Sequence, residues 1–369
     1  MLKRLLSDDF PRSRVLAVLL VLLLLGLAGA PFIFPGVKAL NVAAKVLVFI
    51  VLVGSFDLLL GYTGIVSFAH TMFFGIGAYG IAVATSRMGP SWSALGVGLL
   101  SSLALSFVLS LLVGLFSLRV RAIFFAMITL AVASAFLTLA SQLSDITGGE
   151  DGLSFKVPEL LSPSFEWADQ PFFGVTLDGR LLCYYLLFAV AVLLLLAMLR
   201  IVNSPFGRVL QAIRENEFRA EAIGYRVVVY RTLSSILSAL FACLAGAMLA
   251  LWLRYNGPDT SLSLEIMMDV LLIVVIGGMG TIYGATLGSA LFLVAQSYLQ
   301  DLLRLASESA ASLPWLAALL SPDRWLLWLG VLFVLSVYHF PSGVVGRLRA
   351  SAVHSVDGVR GVGNSGAKA

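Results

Sequence analysis

Stretches without a single charged side chain alternate along this chain with short, dense clusters of charge. Residues 15–37, 58–86, 88–118, 122–144, 181–199, 232–253 and 270–300 contain no Asp, Glu, Lys or Arg. An α-helix rises ~1.5 Å per residue, so about 20 residues cross a hydrocarbon core, and each run is long enough to do so. Lipid offers the backbone no water to bond, which makes the helix the fitting element for such runs. The pattern predicts ten spans, near 15–34, 39–60, 70–87, 93–117, 121–141, 181–200, 230–253, 266–281, 284–301 and 325–341. The last long run is divided at Gly277-Gly-Met-Gly-Thr-Ile-Tyr-Gly284, because a single span there would place the basic tail outside. The expected fold class is therefore all-α, a polytopic membrane protein of about ten transmembrane helices.

Composition supports this reading: 60% of the 369 residues are hydrophobic, 12% are charged, and mean hydropathy is +1.00. Soluble domains carry about a quarter charged residues. Short cytoplasmic loops collect Lys and Arg, and that rule sets an orientation. Lys3, Arg4, Arg12 and Arg14, then Arg119 and Arg121, then Arg200, Arg208, Arg214, Arg219, Arg226 and Arg231, then Arg347, Arg349, Arg360 and Lys368 all fall on one side of a ten-span chain, so both termini are expected in the cytoplasm. The connection 142–180 holds Asp145, Glu150, Asp151, Glu159, Glu166, Asp169 and Asp178 against Lys156 and Arg180, and belongs outside. The expected organisation is a cytoplasmic N-terminus 1–14, a membrane domain 15–346 with an outer loop 142–180 and a cytoplasmic loop 201–229, and a tail 347–369 whose small-residue composition reads as disordered. Val15–Leu27 followed by Ala28-Gly29-Ala30 also fits a cleavable signal peptide, but apolar sequence continues to Phe34 and a retained first helix is expected. The net charge of +4 then reports topology, not nucleic-acid binding. Cys183 and Cys243 both fall within spans and are assigned packing roles.

One polar island, Ser204–Gly224, interrupts the apolar sequence near its middle. Ser204 suits a helix cap, Pro205 the first helical position and Gly224 the residue past the end, which predicts one helix of about five turns. Val209, Ile213, Phe218 and Ala222 would form its apolar stripe, with Arg214, Glu215, Glu217, Arg219 and Glu221 around them. Periodicity alone fits a connector lying on the membrane surface as well as a segment held by another protein.

Glycine is concentrated in two further places, Gly61–Tyr79 between spans two and three and Gly277–Gly288 between spans eight and nine. Such segments suit broken or re-entrant backbone, and close helix packing explains them equally well. Asp57, His70 and Asp269 are the deeply placed ionisable residues; they fit either a proton relay or the plainer arrangement of carboxylates near helix ends with a neutral His in a polar turn. Outside, Thr147-Gly-Gly-Glu-Asp-Gly-Leu153 reads as a flexible acidic turn, with too few oxygen ligands for calcium. The chain contains no GxxxxGK[ST], HExxH or CxxC motif, so any energy from ATP must come from another chain.

Taken in order, these blocks resemble the branched-chain amino acid ABC transporter permeases, the subunit type with a long outer loop. The resemblance runs from about Asp57 to Gly346 and rests on Gly61–Tyr79, Arg121–Leu130, Thr147–Leu153, Ala212–Gly224, Ile276–Gly284 and Pro341–Gly346. Phe68 departs from the small residue or Leu that many relatives place there, which limits inference about the solute.

The resemblance implies a permease subunit of an ATP-binding-cassette importer in the bacterial cytoplasmic (inner) membrane, not an enzyme, with no cofactor and no metal. It implies half of a translocation pathway for branched-chain or related amino acids, with urea, short amides or aromatic acids as alternative solutes. The partners implied are a second related permease, two ATP-binding subunits, a periplasmic or lipid-tethered solute-binding protein and membrane lipid, with no nucleic acid. Coupling to the ATPases would fall to Arg208, Ala212, Arg214, Glu215, Asn216, Glu217, Glu221 and Gly224. Pathway or hinge roles would fall to Gly61, Gly64, Ser67, His70, Gly75, Gly77, Gly277, Gly278, Gly280 and Gly284, and contact with the binding protein to Gly148, Gly149, Glu150 and Asp151. An inverted repeat with broken helices is expected on family grounds alone. A self-sufficient secondary carrier and a membrane enzyme are the competing classes; the first predicts transport by the single chain in an ion gradient, and the second lacks a nucleophile or metal constellation.

Overall fold

The computed structural model describes residues 14–33, 36–117, 122–165, 178–309, 318–340, 343 and 345–346. The predicted disorder of 347–369, the basic residues Lys3, Arg4, Arg12, Arg119 and Arg121, and Glu166 and Asp169 lie outside them. Long helices dominate: α1 Arg14–Ile33, α2 Val37–Thr63, α3 His70–Met88, α4 Trp92–Ser117, α5 Ala122–Gln142, the single turn α6 Ser144–Thr147 and α7 Gly179–Asn203. Two short helices follow, α8 Pro205–Glu215 and α9 Glu217–Ala222. The series ends with α10 Val227–Leu253, the turn α11 Pro258–Ser261, α12 Leu264–Gly277, α13 Ile282–Ser309 and α14 Trp325–His339.

Among the described residues, 8 helical segments are long and apolar enough to cross a membrane. Of the ten predicted spans, the two outside this set still form as helices: α3, 19 residues diluted by glycine, and α14, which at 15 residues is short. The split of the 270–300 run is observed, with α12 ending at Gly277 and α13 starting at Ile282.

The described residues within 26–271 form one compact unit, and those within 14–25 and 272–346 form another. In the first, α10 packs on α2, α3 and α4, and α2 also packs on α7. The centre of this bundle is glycine-mediated. A Cβ on Gly77 of α3 would strike the carbonyl of Cys243 on α10, and one on Gly246 of α10 would strike the carbonyl of Phe74. Gly80 and Gly98 bring α3 and α4 together in the same way. Small residues let helix backbones approach closely, which is the main source of attraction between helices in lipid. α2 is consequently enclosed on most sides, whereas the equally apolar α4 leaves most of its surface outward. Tyr184 and Tyr185 donate their hydroxyls to the carbonyls of Leu27 and Ala28 at 2.5 and 2.9 Å. In the second unit Leu16 and Leu20 pack with Leu287 and Val345, and Leu23 and Tyr283 lie against them.

Candidate functional site

Between α7 and α10 the chain folds as two helices, correcting the single five-turn helix that periodicity predicts. The start is as expected: Ser204 Oγ accepts from Gly207 N at 3.4 Å and Pro205 takes the first helical position. α8 stops at Asn216, whose backbone is extended at φ −159° and ψ 102°. This one residue closes one helix and opens the next. Its N–H donates to Ala212 O at 3.0 Å, and its Oδ1 accepts from Arg219 N at 2.9 Å, satisfying an amide at the start of α9 that has no helical partner. Gly224, at φ 95°, supplies the left-handed residue after α9, where a Cβ would be disfavoured.

The bend at Asn216 re-phases the apolar stripe. Ile213, Ala220 and Val227 form its buried core, with Val209 and Tyr230 packed beside them and Leu210 also buried. Phe206 stacks on Tyr230 with ring centres 5.7 Å apart, and Tyr225 meets the same ring edge-on at 5.8 Å. Phe218 and Ala222, expected within the stripe, point outward; Phe218 is 84% exposed and Ile223 66%. Arg208, Glu215, Arg219 and Glu221 are exposed around them, and Ala212 is half-buried.

Two charged residues of the segment bond to neighbouring helices, Glu217 half-buried and Arg214 still exposed. Both Glu217 carboxylate oxygens accept from Arg231 at the base of α10, at 2.6 and 3.0 Å. Arg214 donates from Nη1 to the carbonyl of Gly61 near the end of α2.

Gly61 opens the first glycine-rich segment. α2 ends in a left-handed Gly64 at φ 73°, whose N–H donates to Leu60 O, and Gly64–Ala69 then lead into α3. Phe68 N donates to Thr129 Oγ1 of α5 at 3.0 Å, so a backbone group freed by the interruption is satisfied by protein. His70, the first residue of α3, is buried; its Nε2 lies 2.8 Å from Ser55 Oγ of α2 and its ring meets Phe56 edge-on. Ser238 of α10 donates to Ser55 O at 2.6 Å, joining three helices around this point. Ser67 is buried nearby in sequence, and Asp57 is buried inside α2, away from the helix end where the plainer reading put it.

The named glycines divide by role. Gly64, Gly278 and Gly280 have positive φ and make turns, whereas Gly75 packs on Leu262 and Gly77 on the α10 backbone. Gly277 and Gly284 pack on one another, and Gly343 packs on Gly278. Thr281 Oγ1 donates to Gly278 O at 3.0 Å and accepts from Gly284 N at 3.1 Å, closing the turn between α12 and α13. A cavity of about 380 Å³ between α3, α4 and α5 is lined by Tyr79, Gly80, Val97, Leu105 and Phe136 among others, and by none of the glycines given pathway roles.

The outer acidic turn is folded, correcting the expectation of a flexible one. Thr147 Oγ1 donates to Ala140 O at 2.5 Å and Leu143 O at 2.7 Å, and Gly149 N donates to it at 3.3 Å. Gly148, Gly149 and Gly152 all have positive φ, and Gly148 sits against the carbonyl of Gly152, where no side chain fits. Leu153–Ser154 (β1) pairs antiparallel with Tyr255–Asn256 (β2), and Tyr255 donates its hydroxyl to Asp151 O at 3.1 Å. Glu150 and Asp151 are left exposed on a fixed frame.

Sequence reasoning missed the β1–β2 pairing, the left-handed Arg254 at φ 56° that precedes β2, and both arginine contacts. The turn-forming Asn256-Gly257-Pro258 was a usable signal for a chain reversal there; two-residue strands leave no periodicity to read. No group of three or more His, Cys, Asp or Glu able to hold a metal occurs among the described residues, and Cys183 and Cys243 are free and buried.

A bundle of long apolar helices with satisfied glycine turns, and with charge gathered on one folded segment and one capped loop, defines a multi-pass membrane protein of the permease type. The chain belongs to the family described as branched-chain amino acid transport system / permease component, whose model matches residues 38–337, and it lies in the cytoplasmic (inner) membrane. It is 28% identical over 276 residues to the high-affinity branched-chain amino acid transport system permease protein LivM of Salmonella typhimurium, covering 71% of this chain and 64% of the relative. The LivM protein of Escherichia coli is 28% identical over 274 residues, covering 71% and 63%. The probable branched-chain amino acid transport permease protein LivM of Methanocaldococcus jannaschii is 27% identical over 327 residues, covering 85% and 87%. The alignments thus span just under two thirds of the two enterobacterial relatives.

Proposed function

We propose that this chain is the permease subunit of an ATP-binding-cassette importer and forms half of a translocation pathway for branched-chain or related amino acids. Two ATP-binding subunits dock on the segment 204–224 from the cytoplasmic side, one on this chain and one on a second, related permease. A solute-binding protein meets the outer cap at Gly148, Gly149, Glu150 and Asp151. The interruptions at Gly61–His70 and Gly277–Gly284 are the places where helices shift during transport. The protein itself performs no chemistry.

The observation that carries this reading is the exposure of Phe218 and Ile223 on a segment whose own core is otherwise closed. Large apolar side chains held outward beside Glu215, Arg219 and Glu221 match a partner surface with an apolar floor and a charged rim. A connector resting in lipid would instead turn its apolar residues to the membrane, whereas Leu210, Ile213 and Ala220 are buried within the protein. The test is co-expression with the ATP-binding and binding-protein genes adjacent to this one. The wild-type chain should retain both ATPases in detergent and import leucine, isoleucine or valine. Phe218→Glu with Ile223→Glu should lose the ATPases while still inserting. Retention of the ATPases by that double variant would refute the docking surface.

A further inference from the structure

We infer that Arg214 is a positioning residue that latches the docking segment to the junction of α2 and α3, so that movement of the segment is delivered to the glycine turn at Gly64. This rests on the reading of 204–224 as the ATPase contact and assigns Arg214, an exposed residue, a bond to its own chain as its role rather than a contact with the ATPase.

Three observations place it there. Arg214 Nη1 donates to Gly61 O, one of the last carbonyls of α2, where a helix end concentrates partial negative charge and lacks helical donors. Gly64, the left-handed residue that ends α2, is so close to the arginine stem that a Cβ there would sit 3.4 Å from Arg214 Cγ. Arg214 also lies on the last turn of α8, two residues before the break at Asn216, so the bond holds the segment at its elbow. The other side of the elbow is held independently by Glu217 on Arg231.

The two bonds lead to different helices. Glu217 ties α9 to α10, and Arg214 ties α8 to the end of α2 and, through the short Gly64–Ala69 link, to the buried start of α3 at His70. A docked ATPase that moves the segment would therefore move α10 through one bond and the α2–α3 junction through the other. Without Arg214 the segment would still fold, since its core is Leu210, Ile213, Ala220 and Val227, and it would still present Phe218 and Ile223. α8 would also still pack on α2, α7 and α10, so what would be lost is the bonded tie to the end of α2 and the share of transmission it carries.

The experiment compares wild type, Arg214→Met and Arg214→Lys in the complete importer, reading ATPase co-purification, hydrolysis in the presence of loaded binding protein, and uptake into vesicles. Arg214→Met should keep its ATPases and hydrolyse ATP at a near-normal rate while uptake per ATP falls about tenfold, the scale expected for a lost charge-assisted hydrogen bond. Arg214→Lys keeps a cationic donor of similar reach and should restore most of that ratio. An unchanged ratio in Arg214→Met, loss of the ATPases together with uptake, or failure of the variant to insert would each overturn the latch. The first would show that the bond transmits nothing, the second that Arg214 faces the ATPase, and the third that it serves folding. If the wild-type chain itself retains no ATPase, the docking reading fails instead, which keeps the two failures distinct.

Discussion

Gly77 of α3 lies directly against the carbonyl oxygen of Cys243 on α10, and Gly246 of α10 returns the same contact to Phe74 of α3. Each helix offers the other a groove floor made of backbone. Dispersion and close approach hold helices together in lipid, so this crossing cannot accept a side chain without parting α3 from α10. Gly77→Leu should cost on the order of 1–3 kcal/mol or more and lower the yield of folded protein in size-exclusion and thermal-shift measurements. Gly26→Leu, where a Cβ meets nothing within 4 Å, should leave both unchanged. Equal yields would mean that α3 and α10 separate without penalty.

Glu217 and Arg231 form a two-point ion pair that is part-exposed, with 42% of the Glu217 and 27% of the Arg231 side chain open to solvent. Exposure of that order limits its contribution to under about 1 kcal/mol, so the pair matters for geometry more than for stability. Glu217→Arg should place two cations together, displace α9 and abolish uptake. Combining it with Arg231→Glu should restore uptake, measured side by side in vesicles. A double variant as impaired as the single one would show that Glu217 acts outward on a partner.

The orientation inferred from charge has a direct check, because Glu150 and Glu215 are both exposed and the two native cysteines are buried. Glu150→Cys should react with an impermeant thiol reagent added from outside the inner membrane. Glu215→Cys should react only after the membrane is opened. The reverse order of labelling would invert the topology.

Thr147 holds the outer cap through hydrogen bonds to Ala140, Leu143 and Gly149. Thr147→Val keeps the shape and removes one hydroxyl proton, shared between Ala140 O and Leu143 O, and one acceptor for Gly149 N, each worth about 1 kcal/mol. Faster amide exchange across Gly148–Asp151 is expected by mass spectrometry, together with weaker stimulation of hydrolysis by the binding protein and unchanged basal hydrolysis. Unaltered exchange would show that the three positive-φ glycines hold the turn without it.

The existence of the helices was legible because charge-free runs of sufficient length have few other solutions in lipid. The break at Gly277–Gly284 and the caps at Ser204 and Gly224 were legible because each uses a residue type selected by backbone geometry. Burial was not. The α2 window is 89% buried and the α4 window 22%, yet their mean hydropathies are 2.3 and 2.2, since lipid and protein interior make the same demand on a side chain. The bend at Asn216 was hidden because charged residues continue on both sides and Asn only weakly disfavours a helix interior. The bonding of Arg214 and Glu217 depends on partners 153 and 14 residues away, which no local pattern encodes.

The 27 residues of α10 run uninterrupted for about 40 Å. At one end Arg231 grips the segment 204–224 through Glu217; at the other, the chain passes into β2, which carries the capped loop through Leu153 and Asp151. Between them the rod bears on α3 at Gly246. Because α10 is also packed along α2 and α4, a displacement at either end is shared with the bundle around it. The capped loop and the segment 204–224, far apart in sequence, are thereby two ends of one helix, and a disturbance at either is a disturbance of both.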